Sequence, residues 1–247
     1  MQRPIKLKAS NPDFTFNAIG RVSSPYKEKF AIPRQPGVVA AAKGKIALQD
    51  TANNIELVRG LEQFSHIWVV FVFHATAEQG WKPLIRPPRL GGNSKMGVLA
   101  SRSTFRPNPI GMSVVKLDRI EEVDKQVCIH ISGLDLLDNT PVLDIKPYIP
   151  YSDAITDANA GYAQERPAEV LNISFSKQAR GLLNKFNSER PELKALIEQV
   201  LTQDPRPAYK QKKHDNKIYG MQLFDFNIQW RMLSLADAEV IDIGRIG

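Results

Sequence analysis

The run Ser65–His74, with the sequence SHIWVVFVFH, decides how the first two thirds of this chain are interpreted. Its apolar side chains fall on both parities, so alternate residues do not separate into an apolar and a polar face. This pattern predicts a strand that is buried on both faces, or a barrel strand lying against further cover. The longest apolar stretch, Ile67–Phe73, has seven residues and is far too short to span a membrane.

Strand-like segments separated by turn residues lie on both sides of this run. Val127, Ile129 and Ile131 alternate with Cys128, His130 and Ser132, which predicts a half-buried strand. A helix is indicated only over Ile55–Phe64. Many strands with few helices between them favour a mainly β fold, an antiparallel barrel or sandwich. Further candidate strands are Phe14–Arg21, Lys45–Leu48, Gly97–Ser101, Ser113–Ile120 and Thr140–Ile145.

The composition changes after Tyr151. Asp153–Arg166 is polar and aperiodic, and it is interpreted as a linker. We therefore expect one domain over residues 14–155 and a smaller α+β domain over residues 167–247.

Two helices and a strand are predicted in the second domain. Ser176 is a suitable cap for a helix that ends near Phe186. The alternation over Phe226–Met232 predicts a half-exposed strand. A second helix is predicted by apolar residues with amphipathic spacing, which are Leu193, Leu196, Ile197, Val200 and Leu201.

The positive charge of the chain is concentrated in one segment. The formal net charge is +7, and Gln79–Leu117 holds no Asp or Glu. A segment of this length would hold about four acidic residues at the average composition. Such a field of one sign favours a site for a polyanion, although a solvated face gives the same pattern. The bases of this acid-free segment are Lys82, Arg86, Arg89, Lys95, Arg102, Arg106 and Lys116.

Several kinds of site are excluded or disfavoured. One cysteine, Cys128, allows neither an intrachain disulfide nor a cysteine-based zinc site, so a buried thiol is expected. His66 and His74 share a strand face but would lie about 26 Å apart, which rules out a common metal ion. No metal is expected. Met1–Phe16 lacks the apolar region of a signal peptide, and we expect a cytoplasmic protein without membrane segments.

Four loops combine Pro and Gly with Arg, Asn and Asp. Proline restricts the backbone, glycine allows close approach of a ligand, and the polar side chains supply hydrogen bonds. Loops of this kind on a strand scaffold are typical binding sites. The four loops are Ser24–Gly37, Arg86–Asn93, Ser101–Gly111 and Leu134–Tyr148.

In their order and composition these loops resemble the TsaA-like (YaeB/TrmO) family, the tRNA N6-methyltransferases that act on threonylcarbamoyladenosine at position 37. The segment Asp204–Tyr209, DPRPAY, matches as well, and the resemblance covers about Phe14 to Arg231. It implies an antiparallel β-barrel domain that binds S-adenosylmethionine, a smaller C-terminal domain and a homodimer. No GxGxxG motif follows a strand here, so a Rossmann site is not expected.

The resemblance also implies a set of cofactor-binding residues. Asp135 is suited to accept hydrogen bonds from ribose hydroxyls, and Arg102 to bind the methionine carboxylate. A turn aspartate and a structural ion pair remain as alternatives for these two residues. The loops Gln35–Gly37 and Ser132–Asp135 are expected to meet at one end of the barrel. The full set is Gln35, Pro36, Gly37, Phe73, His74, Arg102, Ser132, Gly133, Leu134 and Asp135.

The expected partner is the anticodon loop of tRNA. Arg86, Arg89 and Arg106 lie in the acid-free segment and are assigned to RNA. No residue stands out as a catalytic base. Two alternatives remain open: a non-catalytic RNA-binding module, and a methyltransferase that acts on another substrate.

Overall fold

Among the described residues up to position 150, the run Ser65–His74 contains the third of eight strands. The computed structural model describes residues 15–91, 94–165, 170–211 and 215–246. Phe14, Arg166 and Pro167, at the predicted domain limits, lie outside these ranges, as does Gly247. The strands are β1 (Gly20–Ser23), β2 (Lys43–Leu48), β3 (His66–Val72), β4 (Leu84–Ile85), β5 (Met96–Gly97), β6 (Ile110–Val123), β7 (Gln126–Ser132) and β8 (Pro141–Pro147).

Six of these strands close into an antiparallel barrel in the order β1-β2-β7-β6-β3-β8. The mainly β prediction is therefore confirmed, and the architecture is the barrel. The inner face of β3 consists of Ile67, Val69 and Phe71, all buried. Burial of side chains of this size stabilises the fold by about 1.5–3 kcal/mol each. Strands β4 and β5 form a separate two-stranded ribbon.

On two strands the burial of the outer face differs from the prediction. On β3, Trp68, Val70 and Val72 are only half-buried, so the outer face remains partly open. On β7, Cys128 is buried beside Ile129, so this strand is covered on both faces at that point. The prediction of a half-buried β7 was wrong there, because alternation in the sequence does not report what packs outside the barrel.

Three predicted elements differ from the structure. The helix over Ile55–Phe64 is replaced by two 3-10 helices, Ile55–Val58 and Leu61–Gln63, separated by Gly60 with φ 84°. The strand over Gly97–Ser101 ends at Gly97, and a 3-10 helix follows, in which the Ser101 N–H and hydroxyl both donate to the Val98 carbonyl, at 3.2 and 2.8 Å. Strand β1 begins at Gly20, later than predicted over Phe14–Arg21.

The C-terminal unit, described over residues 170–211 and 215–246, is a sheet covered by helices. Its strands are ordered β10-β11-β12-β9, and β9 is parallel to β12. Its strands and helices are β9 (Asn172–Phe175), α3 (Lys177–Phe186), α4 (Leu193–Thr202), α5 (Ala208–Gln211), β10 (Ile218–Leu223), β11 (Phe226–Met232) and β12 (Asp237–Arg245); α1 (His74–Ala77) and α2 (Pro150–Asp153) precede them.

The predicted helices and strand of this unit are confirmed. The Ser176 hydroxyl accepts a hydrogen bond from the Ala179 N–H and caps α3. The apolar face of α4 predicted from its spacing is buried in full. Strand β11 has the bounds of the predicted strand and alternates as expected. Within the ranges described, every helix is too short or too polar to cross a bilayer.

Candidate functional site

A cavity of about 400 Å³ opens where β3 ends and β6 begins. This volume is within the usual range for a small-molecule site. Its walls come from distant parts of the chain: the β1–β2 loop, the end of β3, the start of α1 and β6, and the loop after β7. Loops that a strand scaffold holds in place therefore line one shared space.

Two aromatic rings form the apolar wall. Phe71 and Phe73 lie edge to face with ring centroids 5.1 Å apart. Gly111 makes this arrangement possible, since a Cβ there would lie 2.4 Å from the Phe71 ring and 2.8 Å from that of Phe73. Contacts this short require one of the two rings to shift, so a larger residue at this position would disturb the aromatic wall.

Arg102 is one of the cations that line the cavity, with Lys29, Arg34 and Arg106. Its guanidinium donates a hydrogen bond to Gln35 Oε1 at 2.7 Å, which joins the Ser101–Gly111 loop to the β1–β2 loop. Arg106 braces the same loop from within, because its Nη1 donates to the Ser101 carbonyl at 2.6 Å. The two arginines thus differ in role: Arg102 is exposed at the cavity, whereas Arg106 is half-buried and bonded to backbone.

Asp135 supplies the negative group. It is half-buried, and its Oδ1 accepts a hydrogen bond from the Ser113 hydroxyl at 2.7 Å. Burial raises the pKa of Asp135 to about 6, against the opposing effects of the Ser113 hydrogen bond and the Arg102 charge. Burial, with the charge of Asp135, also raises the pKa of the neighbouring Tyr26. Near neutral pH Asp135 is thus a hydrogen-bond acceptor in a poorly solvated position.

The two loops expected to meet are in contact. The Gly37 N–H donates to the Gly133 carbonyl at 2.7 Å, and the Gly133 N–H donates to the Ala42 carbonyl at 2.8 Å. Leu134 is fully buried in the barrel core, and the Ser132 hydroxyl donates to Asp118 Oδ1 at 3.0 Å. Residues 132–134 therefore support the β1–β2 loop from below.

A larger groove of about 1,420 Å³ adjoins the cavity. Much of its wall is the acid-free segment, and the Lys82 ammonium lies 4.7 Å from the centroid of the Phe105 ring. Arg89 donates a hydrogen bond to the Glu165 main-chain carbonyl, and Glu165 adds a carboxylate at the edge. Five of the seven bases of the segment line the groove: Lys82, Arg86, Arg89, Lys95 and Arg102.

The cavity and the groove share part of their walls. Arg34, Gln35, Ser101 and Arg102 line both spaces. The hydrogen bond between Gln35 and Arg102 therefore lies at the boundary between the cavity and a basic surface. This arrangement suits the transfer of a group from a small donor molecule in the cavity to a large anionic acceptor in the groove.

The structure distributes the residues predicted for the cofactor over three positions. Gln35, Phe73, His74, Arg102 and Asp135 line the cavity. Pro36 and Gly37 line only the groove, and Ser132, Gly133 and Leu134 line neither space.

The arginines assigned to RNA are also divided. Arg86 and Arg89 line the groove, whereas Arg106 lies in the cavity wall, where its Nη1 is bonded to the Ser101 carbonyl. Sequence reasoning missed Arg34 and Ser113. Arg34 lies within a quoted loop, whereas Ser113 is distinguished only as a small polar residue on a buried strand face.

Comparison with known proteins gives a consistent assignment. The tRNA-methyltransferase O N-terminal domain matches residues 21–154, and the TrmO C-terminal domain matches residues 168–246. The chain is 51% identical over 219 residues to the tRNA (adenine(37)-N6)-methyltransferase of Escherichia coli, covering 89% of this chain and 93% of that protein. A relative in Pseudomonas aeruginosa, 46% identical over 213 residues (86% and 90% of the two chains), is named for S-adenosylmethionine-dependent methyltransferase activity.

Solved structures agree with these relatives. A crystal structure of TrmO from Pseudomonas aeruginosa superposes with a TM-score of 0.77 at 36% identity, covering 94% of this chain and 100% of that one. Because the family models span the barrel and the C-terminal unit, and a relative is 51% identical over most of the chain, this protein belongs to the tRNA-methyltransferase O (TrmO) family.

Proposed function

We propose that this chain methylates N6 of adenosine 37 in tRNA, with S-adenosylmethionine as the methyl donor. The observation that carries the proposal is the shared boundary of the cavity and the basic groove at Gln35 and Arg102. The names of the relatives in Escherichia coli and Pseudomonas aeruginosa supply the base and the donor. A pocket for the donor beside a surface for a polyanion is what such a transfer requires.

The residues of the cavity fit S-adenosylmethionine. We assign the rings of Phe71 and Phe73 to the adenine, Asp135 to the ribose hydroxyls and Arg102 to the methionine carboxylate. The half-buried carboxylate, the exposed guanidinium and the aromatic wall support this assignment. When bound, the donor supplies a methyl group already activated on a sulfonium.

The task of the protein in this reaction is alignment. N6 forms a bond to the methyl carbon as the carbon–sulfur bond breaks, S-adenosylhomocysteine leaves, and the N6 proton passes to water. Since the methyl group is already activated, holding nucleophile and methyl in line provides most of the acceleration. The loops that meet at Gln35 and Arg102 are suited to this task. We assign no catalytic base.

We further propose that the anticodon loop lies in the groove, with Arg86 and Arg89 at its phosphates. The five bases of the groove wall support this placement. Base 37 lies in a single-stranded loop, so its presentation costs less than flipping a paired base. We propose threonylcarbamoyladenosine as the base itself, following the resemblance of the loops.

A homodimer is proposed from the outer face of β3 and β6. Trp68 lies opposite Val114 and Val70 opposite Met112 on neighbouring strands. These apolar side chains are exposed or half-buried on a barrel face where polar residues are usual. Because Met112 also lines the cavity, a second copy on this face would lie beside the site.

Two further points belong to the proposal. We propose that the protein acts in the cytoplasm, where a tRNA substrate is found. We also propose that the catalytic barrel domain extends over residues 14–155 and the α+β domain over residues 167–247. The matches of the two family models over 21–154 and 168–246 support this division.

Transfer of labelled methyl groups from S-adenosylmethionine to tRNA tests the function. The tRNA is taken from cells that lack the corresponding activity, and the product is digested to nucleosides. We expect the label in N6-methylated threonylcarbamoyladenosine. Label in another nucleoside would indicate a methyltransferase with a different substrate. If calorimetry detects no binding of S-adenosylmethionine, the protein would instead be the non-catalytic RNA-binding module.

A further inference from the structure

The loop Ser24–Ala42, which joins β1 to β2, brings Arg34 and Gln35 to the boundary between the cavity and the groove. Its only regular element is the 3-10 helix Lys29–Ala31. A connection of this length without strands or longer helices needs contacts elsewhere to hold one conformation. The position of Gln35 therefore depends on which parts of the molecule contact this loop.

The barrel holds part of this loop. Lys27 forms an ion pair with Asp138 at 2.6 Å, and the Gly37 N–H donates to the Gly133 carbonyl. These contacts fix the start of the loop and the residue after Pro36. The Gly133 N–H also donates to the carbonyl of Ala42, the last residue of the loop, at 2.8 Å, so the segment left to other partners is 38–41.

The C-terminal unit holds the loop at both of its ends. At the start, the Phe224 N–H donates to the Pro25 carbonyl at 2.7 Å, and the Gln222 N–H donates to Glu28 Oε1 at 2.9 Å. At the end, the Ala41 N–H donates to Gln199 Oε1 at 2.9 Å. The loop that lines the site is thus attached to a sheet and a helix outside the barrel.

Gln199 is well placed to transmit this restraint. It lies on α4, whose neighbouring residues Ile197 and Val200 are buried in the core, so the helix itself is firmly packed. Val39, two residues before Ala41, is also buried. The Gln199 amide therefore connects a rigid helix to the backbone of the loop, four residues beyond Gly37.

Building on the proposed function, we propose that Gln199 is a positioning residue for the donor site. Through Ala41 it holds the β1–β2 loop so that Gln35 stays within hydrogen-bond distance of Arg102. The C-terminal unit then contributes to binding of S-adenosylmethionine without touching it. Loss of this bond lets the loop sample conformations in which the cavity is open.

The substitution Gln199→Leu removes the acceptor and keeps the size of the side chain. We expect the KM and Kd for S-adenosylmethionine to rise between about 2-fold and 10-fold, the range for one hydrogen bond between neutral groups. The kcat at saturating donor should stay within about 2-fold, because the occupied site holds the loop closed. Gln199→Glu keeps Oε1 as an acceptor and should restore the KM.

Gln178→Leu is the matched control. Gln178 lies on α3 of the same unit, and its Nε2 donates to Asp242 at 2.8 Å, away from the loop. Its loss should leave the KM unchanged. If Gln199→Leu fails to fold, the comparison of Glu28→Leu with Glu28→Gln tests the other end of the loop in the same way.

The outcomes separate the two proposals. A wild-type protein that binds no S-adenosylmethionine would overturn the proposed function. A wild-type protein that binds it, with a folded Gln199→Leu of equal affinity, would overturn the positioning role alone. Equal losses in Gln199→Leu and Gln178→Leu, or a fall in kcat at constant KM, would also overturn it, since general destabilisation produces those results. Faster amide exchange at Ala41 in Gln199→Leu would support it directly.

Discussion

At the scale of single residues, Arg102 donates its hydrogen bond to an amide rather than to a carboxylate. Within the described part of the chain, no carboxylate lies within ion-pair distance of its guanidinium, so the structural ion pair considered from the sequence is not formed. Its charge instead acts on the pKa of Asp135 across the cavity. A cation and a carboxyl group held apart at one pocket leave both groups available to a ligand.

Arg102→Ala should weaken binding of S-adenosylmethionine by roughly 1.5–3 kcal/mol, because a charged hydrogen bond to the donor's carboxylate is lost. The affinity for tRNA should fall by a smaller factor, because Arg102 is one of five bases along the groove wall. Calorimetry gives the first quantity and fluorescence anisotropy the second, with a melting curve to verify folding. Unchanged donor affinity in the folded variant would show that Arg102 does not bind the donor's carboxylate.

Asp135 makes the stability of the protein depend on pH. Burial raises its pKa to about 6, whereas an unfolded aspartate titrates near 3.9. Between these values the folded state keeps a proton that the unfolded state has lost. The favourable contribution is therefore complete below about pH 4 and is lost as the pH rises through about 6.

Asp135→Asn should remove this dependence. The difference in unfolding free energy, wild type minus variant, should fall by on the order of 1–3 kcal/mol between pH 4 and pH 7. Urea denaturation across this range measures it. Parallel pH profiles of the two proteins would show that the carboxyl group is not buried as described.

Gly111→Ala tests the contact between glycine and the aromatic wall. The added Cβ meets the rings of Phe71 and Phe73, so we expect a destabilisation of about 1–3 kcal/mol and weaker donor binding. Gly97→Ala is the control, because a Cβ there has open space. Thermal melting compares the two variants; similar melting temperatures would mean that the rings move aside at little cost.

At the scale of elements, the acid-free segment forms a basic wall rather than a scattered basic surface. The ribbon of β4 and β5 and the 3-10 helix Pro88–Leu90 belong to this segment. They bring its bases to one side of the groove. The conformation of a segment with such short elements depends on its turns and prolines. In this segment the turns and prolines place the basic side chains along one surface.

Arg89→Ala should lower the affinity for tRNA and reduce its salt slope by roughly one unit, as expected for one lost phosphate contact. Donor affinity should remain near the wild-type value, because Arg89 lines only the groove. Titrations at several salt concentrations measure the slope. Arg59→Ala is the control, since Arg59 is exposed and pairs with Glu56 away from the groove. An equal effect of both variants would point to general charge attraction.

At the scale of the whole molecule, the unusual feature is the apolar outer face of β3 and β6. Inward apolar residues complete the barrel core, so the outward residues Trp68, Val70 and Met112 are not needed to close it. A second copy would bury them. The second copy would then lie close to the cavity opening.

Light scattering should give about twice the 27.7 kDa chain mass at micromolar concentration. Met112→Lys should shift the mass toward the monomer, because it places a charge in the contact. Val123→Lys, at the far exposed end of β6, should not. A monomer in the wild-type protein would contradict the proposal.

The sequence by itself determined those elements whose residues interact locally or meet a uniform environment. The α4 face, the Ser176 cap and β11 follow from spacing and hydrogen-bonding type. So does the mainly β nature of the first 150 residues, because strands with few helices between them have few architectures open to them. The order of the loops indicated the family, and the family in turn indicated the methyl donor and the methylated nucleobase.

Only the tertiary structure decided which residues share a space. Gln35 and Arg102 are 67 positions apart and form one hydrogen bond, whereas the adjacent residues Leu134 and Asp135 differ, one in the core and one at the cavity. Arg106, which the sequence assigned together with Arg86 and Arg89, lies apart from them in the cavity wall for the same reason. Spacing along a chain reports local periodicity, but which side chains face each other depends on how the barrel closes, and that is determined by the sum of many distant contacts.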